Sequence, residues 1–429
     1  MSDSVLAALI FGLTYLAIAS ERVDRTAAAL AGAVAMIAVK LDGFDQHAAF
    51  AAIDFNVIFL LAGMMIQVSV LARTGVFEWL ATRTAKMAGG SPVRLLVALS
   101  LATAVLSAFL PNVTTVVLVA PVTIAMASVI GARATPFLIS EAIAANIGGS
   151  ATLIGDPPNI LVGSAAGLDF GAFLTNVAPL IVLILAAYLL LAPWLFREHL
   201  SGRPELWERA AEQSGESAIT DPGLLSLCLV VLVLTIAGFG LHGVLGYEPA
   251  TVALAGAAVL LLLGRQSPQA ALLEVEWSTL FFFVGLFIVV GGIESVGLLS
   301  DLGDRVASLT GGSETAASMV VLWSSALVSG VVDNIPYATA MIPVVREVGV
   351  STGNGGGSGN VLWWSLTLGA CLGGNLTLIA ASSNVLVANL AARQGERIGF
   401  WEFFRYGAVV TVLSIAVSAA YLWLRYLAF

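Results

Sequence analysis

Two aspartates stand inside apolar stretches of this chain. Asp156 falls in Asn146-Ile-Gly-Gly-Ser-Ala-Thr-Leu-Ile-Gly-Asp156-Pro-Pro-Asn159, and Asp333 in Asp333-Asn-Ile-Pro-Tyr-Ala-Thr339. Neither has a Lys or Arg close by in sequence. Ionisable groups at membrane depth are costly and therefore mark function by default. A carboxylate withdrawn from water suits proton coupling, and its hard oxygens equally suit a sodium ion. Capping of a helix start is the purely structural alternative for Asp156.

Neutral polar residues gather around the two aspartates. Asn112, Thr114 and Thr115 follow Pro111; Gly148, Gly149, Thr152 and Asn159 surround Asp156; Asn334 adjoins Asp333; and Gly373, Gly374, Asn375, Thr377 and Asn384 form a fourth segment with Ser382 and Ser383. Gly and Pro release backbone amides and carbonyls from the helix ladder. Asn, Ser and Thr add neutral donors and acceptors beside them, and half-helix N-termini add partial positive charge. The thirteen Asn, Thr and Gly residues named here are read as a solute-binding cage, with Asp156 and Asp333 as its coupling groups. No Lys or Arg lies within the four segments, which favours a neutral or singly charged solute, or a cation.

Other groups carry less. Cys228 and Cys371 are far apart, and His47, His199 and His242 form no cluster, so neither a metal site nor a cofactor is expected. Cys371 adjoins the Gly373-Gly374 pair, yet one thiol cannot make a multidentate soft site. Glu141 is read as interfacial, at the start of a span. Glu294 is read as either functional or interfacial. Asp54 and Glu276 stand at equivalent helix starts.

The elements that position these residues follow from composition. Of 429 residues, 59% are hydrophobic and only 10% charged, against about 25% charged in soluble domains. That excludes a cytosolic enzyme, a nucleic-acid binder and a disordered scaffold, and points to a polytopic protein of the lipid bilayer. The first residues lack the basic start of a secretory signal. A helix needs roughly 20 apolar residues to cross the hydrocarbon core. Ten spans are expected: Val5–Ser20, Thr26–Val39, Asn56–Leu71, Pro136–Ile154, Val177–Leu195, Leu224–Phe239, Ala250–Leu263, Leu280–Val296, Val361–Ile379 and Phe403–Leu424. Val93–Ile130 and Ala316–Val345 are broken at Leu110-Pro-Asn112 and at Asp333-Asn-Ile-Pro336. Backbone that leaves the helix at membrane depth must be buried in protein or line a wet cavity, so both are read as re-entrant hairpins.

The halves repeat. Gly63, Ser107, Asn112 and Pro121 match Gly285, Ser329, Asn334 and Pro343 at an offset of 222; Gly148-Gly149, Thr152 and Asn159 match Gly373-Gly374, Thr377 and Asn384 at 225. The added residues fall in the loop 353–360. One unit is expected at 1–196, a cytoplasmic linker at 197–222 and a second unit at 223–429. Five crossings per unit is odd, so the second unit enters the membrane inverted, the construction of secondary transporters. Fourteen Lys and Arg collect on one face and four on the other, which makes the first face cytoplasmic and leaves both termini outside a plasma (inner) membrane.

The Pro111-Asn-Val-Thr-Thr and Gly155-Asp-Pro-Pro-Asn159 strings resemble the ion transporter superfamily, over essentially the whole chain. That group contains the arsenical pump membrane protein, the melanosomal P protein, NhaD-type sodium/proton antiporters and citrate or dicarboxylate carriers. The resemblance implies an all-α elevator-type transporter, often a homodimer, whose hairpins and broken helices slide against a scaffold. The Ser-Asn-Thr hairpin tips of the dicarboxylate branch are incomplete here. The leading expectation is therefore arsenite or antimonite efflux driven by inward protons, since uncharged As(OH)3 suits a cage without fixed cations. A sodium/proton antiporter and an anion carrier are the alternatives. No phosphate-binding P-loop is present, so the chain is not itself an ATPase and no enzyme activity is expected. Docking of a separate cytosolic ATPase on the polar linker has no positive sign.

Overall fold

The computed structural model describes residues 2–20, 22–200, 219–352 and 361–428. The loop expected at 353–360 and most of the linker, 201–218, lie outside the described residues.

Every regular element among the described residues is helical. The first half runs α1 (Asp3–Ala19), α2 (Arg25–Ala38), α3 (Gln46–Ala51), α4 (Phe55–Ala72), α5 (Val76–Ala88), α6 (Pro92–Ser107), α7 (Asn112–Val129), α8 (Thr135–Gly149), α9 (Pro157–Ala166), α10 (Phe170–Asn176) and α11 (Ala178–Leu195). The second runs α12 (Pro222–Leu245), α13 (Pro249–Leu263), α14 (Pro268–Leu273), α15 (Trp277–Ser295), α16 (Leu298–Leu309), α17 (Glu314–Ser329), α18 (Asn334–Ser351), α19 (Val361–Gly373), α20 (Ser382–Arg393) and α21 (Phe400–Leu422). Local chemistry sets the starts. Asp24, Asp54, Ser91, Asp169, Ser267 and Ser313 each accept backbone N–H groups as N-caps.

Among the described residues six helices are long and apolar enough to cross a membrane: Phe55–Ala72, Asn112–Val129, Ala178–Leu195, Pro222–Leu241, Trp277–Ser295 and Phe400–Leu427. Five of these fall on expected spans; the sixth, α7, is the second arm of the first expected hairpin. The other expected spans are shorter helices of 13 to 17 residues. Helices α5 and α16 lie outside the expected spans because each mixes charged and apolar side chains along its length.

Burial separates two kinds of helix. Leu16, Leu190, Val233 and Leu262 stand exposed on α1, α11, α12 and α13, the positions a lipid phase would cover. Every residue of α8 and of α19 is buried. These two helices form the centre, α8 beside α6 and α7, and α19 beside α17 and α18. Elsewhere α4 packs on α13 and α2 on α15. The approach there is close enough that a Cβ on Gly63 would come 2.7 Å from the Ala253 backbone, and one on Gly285 would come 2.7 Å from that of Ala29.

Glu141 corrects the sequence reading. It lies inside α8 with no exposed surface, where the Thr123 hydroxyl donates to its carboxylate. The i, i+3/i+4 neighbours of a helix wrapped on all sides by others leave no interfacial position there.

The start of α8 has no cap of its own. Instead Glu396, in the connection between α20 and α21, accepts from the backbone N–H groups of Ala134 and Thr135, each at 2.9 Å, and from the Thr135 hydroxyl. Burial by itself would raise the Glu396 carboxyl, but the hydrogen bonds from Thr135 and Ala134, with nearby Arg133, outweigh it and hold the group below its ordinary range. Its stabilisation is therefore complete above the unfolded value, about 4.3, and is lost as pH falls through the folded one. Glu396→Gln is expected to lower the apparent melting temperature at neutral pH by a few degrees. The gap should close in acid; one that persists unchanged there removes the charge from the explanation.

Candidate functional site

Four helix starts converge at the centre. Asn112 opens α7 after Pro111, and Asn334 opens α18 after Asp333. Pro157 opens α9 after Asp156, and Ser382 opens α20 after Ala381. Helix α8 ends at Gly149 within a Gly-Gly pair, and α19 ends at Gly373 within another, because glycine holds the helix ladder weakly.

Asp156 occupies the N-cap position of α9, yet its side chain caps nothing. It turns instead to the two hairpin tips, where Asn112 Nδ2 donates to it at 3.3 Å and Asn334 Nδ2 at 3.4 Å. Asn112 Nδ2 also lies 3.3 Å from Asn146 Oδ1. Asn146 Nδ2 in turn donates to Asn375 Oδ1 and Asn384 Oδ1, each at 3.0 Å, and Ser383 Oγ donates to Asn146 Oδ1 at 2.7 Å. Segments from both halves thus share one buried amide network, in which Asp156 is 1% exposed. The Nδ2 of Asn375 and the hydroxyl of Thr115 are buried there without a partner.

The remaining named residues hold the cage together. Thr152 Oγ1 donates to the Ala108 carbonyl, and Thr377 Oγ1 donates to that of Gly330 at 2.7 Å. Each ties a broken segment to its hairpin. Asn159 Nδ2 donates to the carbonyls of Gly149, Ser150 and Thr152, and Asn384 Nδ2 to those of Gly374 and Thr377. Cys371 Sγ lies 3.2 Å from Asn159 Oδ1. Gly148 and Gly373 let hairpin backbones pass, since a Cβ on either would meet a carbonyl oxygen, of Ala104 at 2.0 Å or of Ala326 at 2.6 Å. Gly149 and Gly374 lie against backbone carbonyls in the same way. Thr114 is half-buried on the first turn of α7.

The expectation of a cage without a cation needs correction. Arg25, the first residue of α2, reaches Asp333 with Nη1 3.2 Å from Oδ2, and the same nitrogen donates to Ser382 Oγ. Its Cζ lies 5.2 Å from the Phe282 ring centroid, within cation–π range. Arg25 and Asp333 are 308 residues apart, so proximity in sequence carried no signal. Asn146 and Ser383 lay within the motif strings but showed nothing that set them apart. Elsewhere Asp54 caps α4, Glu276 accepts from Thr279, and Glu294 pairs with Arg346 at 3.6 Å on an exposed surface. No cluster of three or more His, Cys, Asp or Glu placed to hold a metal exists among the described residues.

A family profile described as Citrate transporter matches residues 15–369. The chain belongs to the CitMHS citrate transporter family. It is 47% identical to an uncharacterized transporter of Mycobacterium tuberculosis, over 99% of both chains. It is 33% identical to the P protein of Homo sapiens, covering 97% of this chain and 59% of that one. The superfamily resemblance read from the motifs is thereby shown. In fold, this CitMHS protein is similar to the YdaH transporter of Alcanivorax borkumensis (TM-score 0.58, 15% identity, 99% and 98% of the chains covered). It is also similar to MtrF of Neisseria gonorrhoeae, described as one of a class of antimetabolite efflux pumps (TM-score 0.57, 12% identity, 99% and 95% covered). The CitMHS chain is a polytopic membrane protein of the secondary-transporter type.

Proposed function

We propose that the chain is a proton-coupled secondary transporter that carries a small polar solute in the asparagine cage and takes the coupling proton on Asp156. One observation carries this reading: a fully enclosed carboxylate with no cation bonded to it among the described residues, held by an amide from each hairpin tip. A charge placed there loses water without gaining a counter-ion, which favours uptake of a proton and makes Asp156 the group to carry it. When the carboxylate is neutral, the two tip amides are released from an anionic acceptor and turn to the solute. Occupancy of the cage and protonation are thereby coupled through the same side chain.

The two units, 1–196 and 223–429, form an inverted repeat, and the hairpins with α8, α9, α19 and α20 move as one body against the α2–α15 and α4–α13 pairs. Support comes from contacts that recur at the repeat offsets. Ser107 donates to the Ala145 carbonyl as Ser329 does to that of Ala370, and Thr152 matches Thr377, and Asn159 matches Asn384, in the bonds given above. Alternating access by rocking or sliding of repeats around a fixed site is the general use of such a construction. Both termini lie outside the cell on the loop-charge argument. An uncharged solute such as arsenite suits a cage without a fixed cation. Arg25 at its rim removes that ground and moves the solute class toward an anion.

The test is purified protein in proteoliposomes under an imposed pH gradient, with internal pH followed alongside citrate, arsenite and sodium in turn. Flux of citrate or arsenite that collapses the gradient supports the reading; proton movement on sodium alone moves the protein to the antiporter branch. Asn112→Ala and Asn334→Ala are each expected to weaken solute affinity roughly tenfold, the loss of one hydrogen bond to a charged partner. An unchanged affinity in either variant takes its hairpin tip out of the site.

A further inference from the structure

Arg25 stands where two spaces meet. It lines a cavity of about 460 Å³ with Asp24, Val113, Asp333, Ser382 and Asn389. It also lines an inner pocket of about 30 Å³ that reaches Asn112, Asp156 and Asn334. The outer cavity is large enough for a small organic acid, and the guanidinium is the one cation lining either space among the described residues. Both of its side-chain hydrogen bonds run through Nη1, which leaves Nε and Nη2 to grip a two-oxygen group in the fork geometry that guanidinium offers.

A related groove shows that the ion pair is not a general requirement of the packing. A cavity of about 380 Å³ is lined by Asn56, Leu60, Ile160, Ser164, Glu248 and Pro249. Pro249 opens α13 there as Arg25 opens α2. Pro111 likewise stands before α7 as Asp333 stands before α18. The first groove alone carries a cation and its partner carboxylate.

We propose that Arg25 recognises an anionic solute by exchanging its counter-ion. It pairs with Asp333 while that carboxylate is ionised, and with a carboxylate or inorganic oxyanion of the solute once Asp333 has taken a proton. The inference rests on the proton-coupled transporter reading and names the solute class for that site. The step balances: one proton from water forms the O–H bond on Asp333, one negative charge arrives with the solute, and the guanidinium keeps a single anionic partner throughout. The buried charge is unchanged, which is what makes the exchange affordable in a low-dielectric setting. Other charged groups facing the pair are already engaged. Asp24 accepts from the N–H groups of Thr26 and Ala27, Glu276 accepts from Thr279, and Asp156 accepts from Asn112 and Asn334.

The experiment measures thermal stabilisation of the purified full-length protein in detergent by acetate, sulfate and citrate, at mildly acidic and mildly alkaline pH. In the wild type at least one of the three is expected to stabilise, with apparent affinity rising at least tenfold per pH unit toward acid, the slope of one linked proton or more. Asp333→Asn should bind that anion with a pH slope shallower by one proton, the slope that remains carrying the Asp156 linkage and any titration of the anion itself. Arg25→Gln should show no stabilisation at either pH. If R25Q does not fold, Arg25→Lys keeps the charge without the fork and should bind at least tenfold more weakly. Three outcomes each overturn the assignment: no anion stabilises the wild type, D333N keeps the wild-type pH slope, or the Arg25 variants bind like the wild type. Gradient-driven flux in liposomes that needs Asn112 and Asn334 but not Arg25 also overturns it, while the transporter reading stands.

Discussion

Asp156→Asn is expected to cut solute-coupled proton flux by about two orders of magnitude while leaving the protein folded. The substitution preserves shape and one acceptor oxygen, so the bonds from Asn112 Nδ2 and Asn334 Nδ2 keep a partner and the two hairpin tips stay docked. What disappears is the titratable group held between the two hairpin tips. Loss of a positioned proton-transfer group costs on the order of 100-fold or more, and coupled flux should fall by that factor. Binding of the solute should survive, because the neutral carboxamide resembles the protonated carboxyl. The decisive comparison is flux and internal pH in proteoliposomes beside a melting curve in detergent. Wild-type coupling in D156N, with an unchanged melting curve, takes Asp156 out of the mechanism and leaves it a structural polar residue.

The largest expected loss of stability comes from one methyl group. Gly148→Ala places a Cβ 2.0 Å from the Ala104 carbonyl oxygen and 2.6 Å from its carbonyl carbon and Cα. All three atoms are backbone of α6, so no side chain can swing aside and the first hairpin arm must move. Overpacking of this kind costs about 1–3 kcal/mol, and more where the obstacle is backbone on both sides. The displacement also carries Asn112 away from Asp156, so transport should fall with stability. Gly373→Ala, 2.6 Å from the Ala326 carbonyl oxygen, is the counterpart on the second hairpin. Gly12→Ala is the control, since nothing lies within 4 Å of its added Cβ. Melting of G148A level with G12A would show that α6 yields at no cost and that its approach to α8 does not set the cage.

Much of the architecture was legible in one dimension. Apolar runs long enough to span, Pro and Gly at Pro111, Pro157, Gly149 and Gly373, and the offsets of 222 and 225 are properties of neighbouring residues. The helix breaks they specify are local events, and the four segments they mark are those that meet at the centre. Within those segments, residue type did not reveal role. Thr152 and Thr377 look as suited to a solute as Asn112, yet their hydroxyls are spent on hairpin carbonyls. Asn159 and Asn384 direct their amides into the loops that carry them.

Three facts were decided by tertiary structure alone. Arg25 was one more positive charge at a loop until the packing of α2 on α15 brought it to Asp333, 308 residues on. Glu141 looked interfacial until α7 closed over α8 and gave it Thr123. Asn146 became the junction of both halves only because α8 and α19 lie side by side at the centre. Chain periodicity and helix-breaking chemistry act over a few residues and are written in the sequence. Which buried polar groups find one another depends on how helices distant in the chain are brought together, and burial makes those pairings obligatory.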